Sequence, residues 1–266
     1  MKIEVLVAAL EKDPRALAEK MNIRTDCIIV NQCDRNGEEE FTCNGHTVRV
    51  FLMDKRGVGL SRNTAIEKSM GDILIFSDQD IVYYDDYEEI IQKEFEQNPD
   101  ADMLTFNIRI GEDRKTYENT DRGRVGLFNS GRYGAVSFAI KREALIKSGV
   151  KFSLLFGGGA KYSAGEDSLF IRELLKKKVK IYKAMGFLGY EDSSDSTWFK
   201  GYNEKYFYDR GVLYSYMYGA MAVPFALRFL YAHRGEMLKD LSFKKAFGFM
   251  AKGIKYAGIE KKDEVK

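Results

Sequence analysis

Gly71-Asp72-Ile73-Leu74-Ile75-Phe76-Ser77-Asp78-Gln79-Asp80 decides the architecture. Four apolar residues lie between Gly-Asp and Asp-Gln-Asp, which is the pattern of a short buried strand opening into a polar loop. Upstream, residues 61–70 carry helical spacing, and Gly71 is expected as the C′ residue that ends that helix. Working outward, β-type runs recur at residues 3–8, 27–30, 48–53, 103–108 and 136–140, with helical spacing at 15–21, 87–96 and 168–177. Strands alternating with helices predict an α/β fold whose central sheet is mostly parallel. Ligands of open α/β sheets gather beyond the carboxyl ends of the strands, so the acids after Phe76 are the first place to look for chemistry.

The composition suits such a fold. The chain has 266 residues, 45% hydrophobic and 13% aromatic, enough for a sizeable core. Its 42 Lys/Arg and 40 Asp/Glu leave a formal charge of +2, which gives no reason to expect a nucleic-acid partner. The charge is unevenly spread: residues 196–266 hold 13 bases and 7 acids, a surplus of 6, so the preceding part carries −4. Three prolines and no low-complexity stretch give no linker. Cys27, Cys33 and Cys43 are odd in number and, with only His46 and His233, lack zinc-site spacing. Residues 1–9 are too short for a signal peptide and include Glu4, so a reducing, cytoplasmic setting is expected. The longest uncharged run, residues 211–227, falls short of the roughly 20 apolar residues of a spanning helix.

Three local patterns carry chemistry. Asp78 and Asp80, two residues apart, would face the same side if strand geometry continued, and two hard oxygen donors suit Mg²⁺ or Mn²⁺; a solvated turn is the plainer alternative. Lys55-Arg56-Gly57-Val58-Gly59-Leu60-Ser61-Arg62-Asn63 joins glycines and cations at a helix start, a phosphate-holding combination or an ordinary loop pairing with surface acids. Gly157-Gly158-Gly159-Ala160-Lys161-Tyr162-Ser163-Ala164-Gly165 reads as a mobile loop that delivers Glu166 and Asp167 to a helix start. Those acids either complement the helix dipole or accept a proton from an incoming hydroxyl.

In this order the motifs resemble the family 2 glycosyltransferases of GT-A fold, many of which build bacterial polysaccharides. Gly-Val-Gly-Leu-Ser-Arg-Asn-Thr-Ala-Ile followed by Gly-Asp-Ile-Leu-Ile-Phe-Ser-Asp-Gln-Asp is similar to the family's Arg-Asn helix start and Asp-x-Asp strand end. The resemblance implies a GT-A domain over residues 1–205, with a nucleotide-binding half at 1–100, an acceptor half at 101–205 and a basic, aromatic helical tail at 206–266. It implies that Asp80 binds the divalent cation, with Asp78 beside it or at the donor ribose, and that Arg62 lies near the donor phosphates. Asp167 looks like the catalytic base, with Glu166 orienting the acceptor or sharing that role. Ala8 and Gly57 fall at donor-binding positions. The sequence departs from the family twice. Asn31-Gln32-Cys33-Asp34 stands where the family often has Asp-Asp-Gly-Ser, so Asn31, Gln32 and Asp34 are the candidates for reading the base of a favoured UDP-sugar. Gly189-Tyr190-Glu191-Asp192-Ser193-Ser194 stands where many GT-A enzymes place a metal-binding histidine, which makes Glu191 or Asp192 the candidate there.

The implied reaction moves a sugar, with inversion, from a nucleotide-sugar to a saccharide or lipid-linked saccharide acceptor, with Mn²⁺ or Mg²⁺ as cofactor. In the tail, Trp198-Phe199-Lys200-Gly201-Tyr202 and residues 205–211 mix aromatics with cations, and residues 212–266 combine apolar stretches with lysines near Phe247, Phe249 and Tyr256. Such material either docks on anionic lipid at the inner face of the cell membrane, packs as a helical cap, or forms an oligomer interface. A nucleotidyltransferase releasing pyrophosphate and a non-catalytic sugar-binding relative are the competing readings of the whole.

Overall fold

The computed structural model of the protein describes all residues except 112–116, 193–200, 240 and 265–266, and omits the side chains of 236 and 259–264. The Trp198-Phe199-Lys200 cluster and Ser193-Ser194 therefore lie outside the described residues. In chain order the elements are β1 Ile3–Ala9, α1 Pro14–Lys20, β2 Asp26–Gln32, β3 Gly37–Cys43, β4 His46–Met53, α2 Val58–Lys68, β5 Ile73–Asp78, β6 Ile81–Tyr83, α3 Tyr87–Gln97 and β7 Met103–Arg109. They continue with β8 Gly123–Arg124, β9 Phe138–Lys141, α4 Arg142–Ser148, α5 Glu166–Lys176, β10 Ile181–Glu191, α6 Glu204–Tyr218, α7 Ala222–Ala232, α8 Arg234–Met237 and α9 Phe243–Glu264.

The strands form one sheet in the order β3-β4-β2-β1-β5-β9-β7-β10-β6, with β8 paired to β10. The run β4-β2-β1-β5 is parallel throughout and β7 pairs parallel with β10, while β9, between β5 and β7, is antiparallel to both. Alternation along the strands feeds two cores. Val5, Val7, Ile29, Ile73 and Ile75 join Leu17 of α1 and Ile91 and Phe95 of α3 on one face. Leu6, Ile28, Val30, Leu74 and Phe76 join Ile66 of α2, Leu145 of α4 and Phe170 of α5 on the other. A strand whose side chains are covered on both faces reads as a continuous apolar run, which is why residues 73–76 were legible.

Two long strands fall outside the sequence expectation. β3 is a polar edge, with Glu38, Glu39 and Glu40 exposed, and it returns to β4 through Asn44-Gly45, both at positive φ. β10 shifts register against β7 around Phe187, so its alternation breaks. Gly71 is also not a left-handed helix cap: α2 ends at Lys68 with an extended Ser69. A Cβ on Gly71 would lie 2.7 Å from that of Glu4, whose buried carboxylate accepts from the Met70 and Gly71 amides and binds Arg49. The glycine is there for close approach.

The chain divides into two compact units, Met1–Leu154 with Glu166–Ser196, and Leu155–Gly165 with Thr197–Lys266. In the second, α6 and α9 lie in backbone contact where Gly211 meets Met250 and Gly253 meets Tyr208, spaces that a Cβ would close. Phe207, Ala226, Leu230, Ala246 and Met250 form its core, with Phe247 and Phe249 packed against it. The glycine-rich segment is tied within the same unit. The Gly157 amide donates to the Tyr162 carbonyl, the Tyr162 amide donates to the Leu155 carbonyl, and Ser163 donates from N and Oγ to Asp209 of α6 at 3.0 and 2.9 Å.

Candidate active site

The carboxyl ends of β1, β2 and β5 lie side by side. Ala8 is in register with Asp78 across the β1–β5 ladder, and Ala9 with Asn31 across β1–β2. The loop leaving β1 is held by amides: Asn31 Oδ1 accepts from the Glu11 amide at 2.8 Å, Asn31 Nδ2 donates to the Glu11 carbonyl at 2.7 Å, and Gln79 Oε1 accepts from the Leu10 amide at 2.7 Å. Gln32 Oε1 accepts from the Gly57 amide at 2.8 Å, where Gly57 caps α2. Asn31 and Gln32, expected to read a base, here brace the loops that border the strand ends. Asp34 is fully exposed, 3.9 Å from Arg56.

At the centre of the site is Arg62, on the first turns of α2 and 3% exposed. Its Nη2 donates to Asp78 Oδ1 at 2.9 Å, and its Nη1 to Asp167 Oδ1 at 2.6 Å and Glu166 Oε1 at 3.2 Å. The guanidinium also stands 5.2 Å from the Phe152 ring centroid. Burial by itself would depress its pKa, but Asp167, Asp78 and Glu166 together hold it raised, so the cation is permanent. The family resemblance implies that Arg62 lies near the donor phosphates; here its charge faces carboxylates from two elements, β5 and α5.

Glu166 and Asp167 open α5, where the amide ends of the helix favour negative charge. Asp167 Oδ2 accepts from the Ala135 amide at 2.9 Å, so both its oxygens are held. Burial lifts the Asp167 pKa against the pull of Arg62, and burial together with the neighbouring Asp167 charge lifts Glu166 to about 7. A carboxylate poised near neutral pH is suited to proton transfer.

Asp80 follows β5, and its carbonyl accepts from the Asp192 amide at 2.7 Å. Glu191, at the end of β10, is in register with Ile81 of β6. The strand end carrying Glu191 and Asp192 therefore runs beside the Asp80 backbone, while Asp192 itself pairs with Lys20 at 3.1 Å. Among the described residues no cluster of three or more His, Cys, Asp or Glu is arranged to hold a metal ion. The donor set still fits Mg²⁺ or Mn²⁺ in kind, because such ions take one or two protein carboxylates and complete their shell from substrate phosphate and water. Asp78, 41% exposed, and Asp80 are carboxylates of that kind. The roles of Ala135, Phe152 and Gln79 had no signal in the sequence, since each depends on a partner far along the chain.

A mixed α/β chain with a mostly parallel sheet, acids at the β5 end and a helical C-terminal part has the architecture of the GT-A glycosyltransferases. Residues 10–176 match the family model described as glycosyl transferase family 2, and the chain belongs to that family. No curated protein matches the sequence. Among solved structures it is similar to residues 1–349 of S. aureus TarS, with a TM-score of 0.62, 14% identity, and coverage of 96% of this chain and 81% of that one. The same TarS fragment in complex with UDP-GlcNAc gives 0.61, 14%, 96% and 82%. The mannosyltransferase PcManGT from Pyrobaculum calidifontis, in complex with GDP-Man and Mn²⁺, gives 0.51, 13%, 97% and 75%. At these identities the likeness shows the fold.

Proposed function

We propose that the protein transfers one sugar, with inversion, from a UDP-sugar to a saccharide or lipid-linked saccharide acceptor in polysaccharide synthesis. The observation that carries this reading is Arg62, whose single guanidinium joins Asp78 at the β5 end to Glu166 and Asp167 at the start of α5. One buried cation thereby sets the spacing between the donor-side acid and the acids that receive a proton. The solved relatives TarS, with UDP-GlcNAc, and PcManGT, with GDP-Man, support a nucleotide-sugar donor.

Asp80 and Asp78 would hold Mn²⁺ or Mg²⁺, with Glu191 nearby as a further oxygen donor. When bound, the cation would neutralise the diphosphate and stabilise it as it leaves. Ala8, Asn31, Gln32, Asp34 and Gly57 border the nucleotide. Asp167, held by Arg62 and the Ala135 amide, takes the proton of the acceptor hydroxyl, with Glu166 orienting that hydroxyl or sharing the proton. The acceptor oxygen bonds to the anomeric carbon from the face opposite the bond to the diphosphate oxygen. That bond breaks and its electron pair leaves with the nucleoside diphosphate. An acceptor on a lipid carrier would bring the enzyme to the inner face of the cell membrane.

The test is a panel of UDP-, GDP-, ADP- and CMP-sugars with Mn²⁺ or Mg²⁺, scored for thermal stabilisation and for nucleotide release. Stabilisation by, and nucleoside diphosphate release from, a UDP-sugar is the expected result. Pyrophosphate release from a nucleoside triphosphate, or no turnover with any donor, would overturn it.

A further inference from the structure

α9 carries the lysines and aromatics that suggest an interfacial helix, yet Ala246, Met250 and Ala257 are buried, and Phe247 and Phe249 pack into the core of the C-terminal unit. Phe243 and Tyr256 of α9 are themselves 38% and 43% exposed, but the apolar side chains left open in a row lie on α7 and the turn before it. Ala222, Ala226 and Leu230 point into that unit, Phe225 stacks on Tyr218, and Phe229 meets Tyr214 edge to face. On the opposite side Val223, Leu227 and Tyr231 repeat every four residues, with Leu227 40% and Tyr231 65% exposed, and Met221 extends the ridge. Arg228 is exposed beside it, and Arg234 lies over the Tyr231 ring at 4.1 Å.

We infer that this α7 ridge is a membrane-docking face that seats on anionic lipid. Charge decides the occupant. Residues 211–235 contain two arginines and no carboxylate, so the ridge offers apolar side chains to the acyl boundary and guanidinium groups to phosphate oxygens. A second copy of the same face would set those arginines against each other, with no acid inside residues 211–235 to pair them. Tyr231, with its ring apolar and its hydroxyl polar, suits the headgroup level, and no helix among the described residues is long and apolar enough to cross a bilayer. The ridge is a surface for lying on a membrane.

The experiment uses the full chain and vesicles of phosphatidylcholine with and without phosphatidylglycerol. Wild-type protein should co-sediment with the anionic vesicles, and salt should reduce this. Leu227→Glu/Tyr231→Glu, on the exposed side, should keep the wild-type melting temperature and lower the partition coefficient about tenfold or more. Arg228→Glu/Arg234→Glu should remove the preference for phosphatidylglycerol. Three results would overturn the inference: absence of wild-type binding, equal binding by the Leu227/Tyr231 variant, or a dimer that this variant dissociates in light scattering. Transfer to a water-soluble acceptor does not need the ridge, so its persistence in these variants separates a failure here from a failure of the catalytic reading.

Discussion

Replacing Arg62 by methionine keeps most of the side-chain volume and removes the charge that three carboxylates share. The Asp78 contact, at 2.9 Å, involves a carboxylate that is 41% exposed and is largely screened, so it adds little. The contacts to Asp167 at 2.6 Å and Glu166 at 3.2 Å are shielded from water and dominate the loss. Breaking a buried ion pair by deleting one partner costs about 3–5 kcal/mol, because the other charge is left uncompensated. For a chain of this size that corresponds to a melting temperature lower by on the order of 10 °C at neutral pH. The deficit must depend on pH. Without Arg62 the Glu166 and Asp167 pKa values rise further above those of the unfolded chain, so the variant loses stability as pH climbs from about 4 through the raised values. Thermal melts of both proteins at pH 5 and pH 8 should show a small gap at pH 5 and a large one at pH 8. Equal melting temperatures at pH 8, or a gap that is larger at pH 5, would refute the reasoning.

Further outcomes follow from the same geometry. Glu166 has a folded pKa of about 7 against an ordinary 4.5, so its ionisation opposes folding: stability falls as pH rises from about 4.5 to 7, and Glu166→Gln should flatten that slope in urea titrations. Asp167→Asn should lower kcat by about 10²–10⁴ while leaving donor affinity, measured by calorimetry, nearly unchanged. Asp80→Ala should remove the extra thermal stabilisation that Mn²⁺ gives with a nucleoside diphosphate; retention of that increment would move the metal site elsewhere. Gly59 packs against the Ser153 carbonyl, where a Cβ has no room, so Gly59→Ala should destabilise by about 1–3 kcal/mol in chemical denaturation.

The fold was legible in the apolar runs of β1, β2, β4, β5 and β7, because a strand covered on both faces must be apolar along its whole length. β3 was hidden by its three consecutive glutamates, although Asn44-Gly45 is a hairpin signal. β10 was hidden by the register shifts that interrupt its alternation. The site was half legible. Asp78, Asp80, Glu166 and Asp167 stand out as acids at a strand end and a helix start, but their relation to Arg62 does not, since Arg62 meets Glu166 and Asp167 across 104 and 105 positions of chain.

The sequence by itself determined the strand–helix alternation, the acids at the end of β5 and the family to which the chain belongs, because these depend on local periodicity and on motifs read in order. Only the tertiary structure decided that Arg62 is turned inward onto three carboxylates, that the glycine-rich segment is tied to Asp209, and that a ridge of open apolar side chains runs along α7 while α9 buries Ala246, Met250 and Ala257. The reason is physical. Hydrophobic period and helix or strand preference act over a few residues, whereas an ion pair, a close backbone approach or a free helix face exists only after distant segments have been packed together.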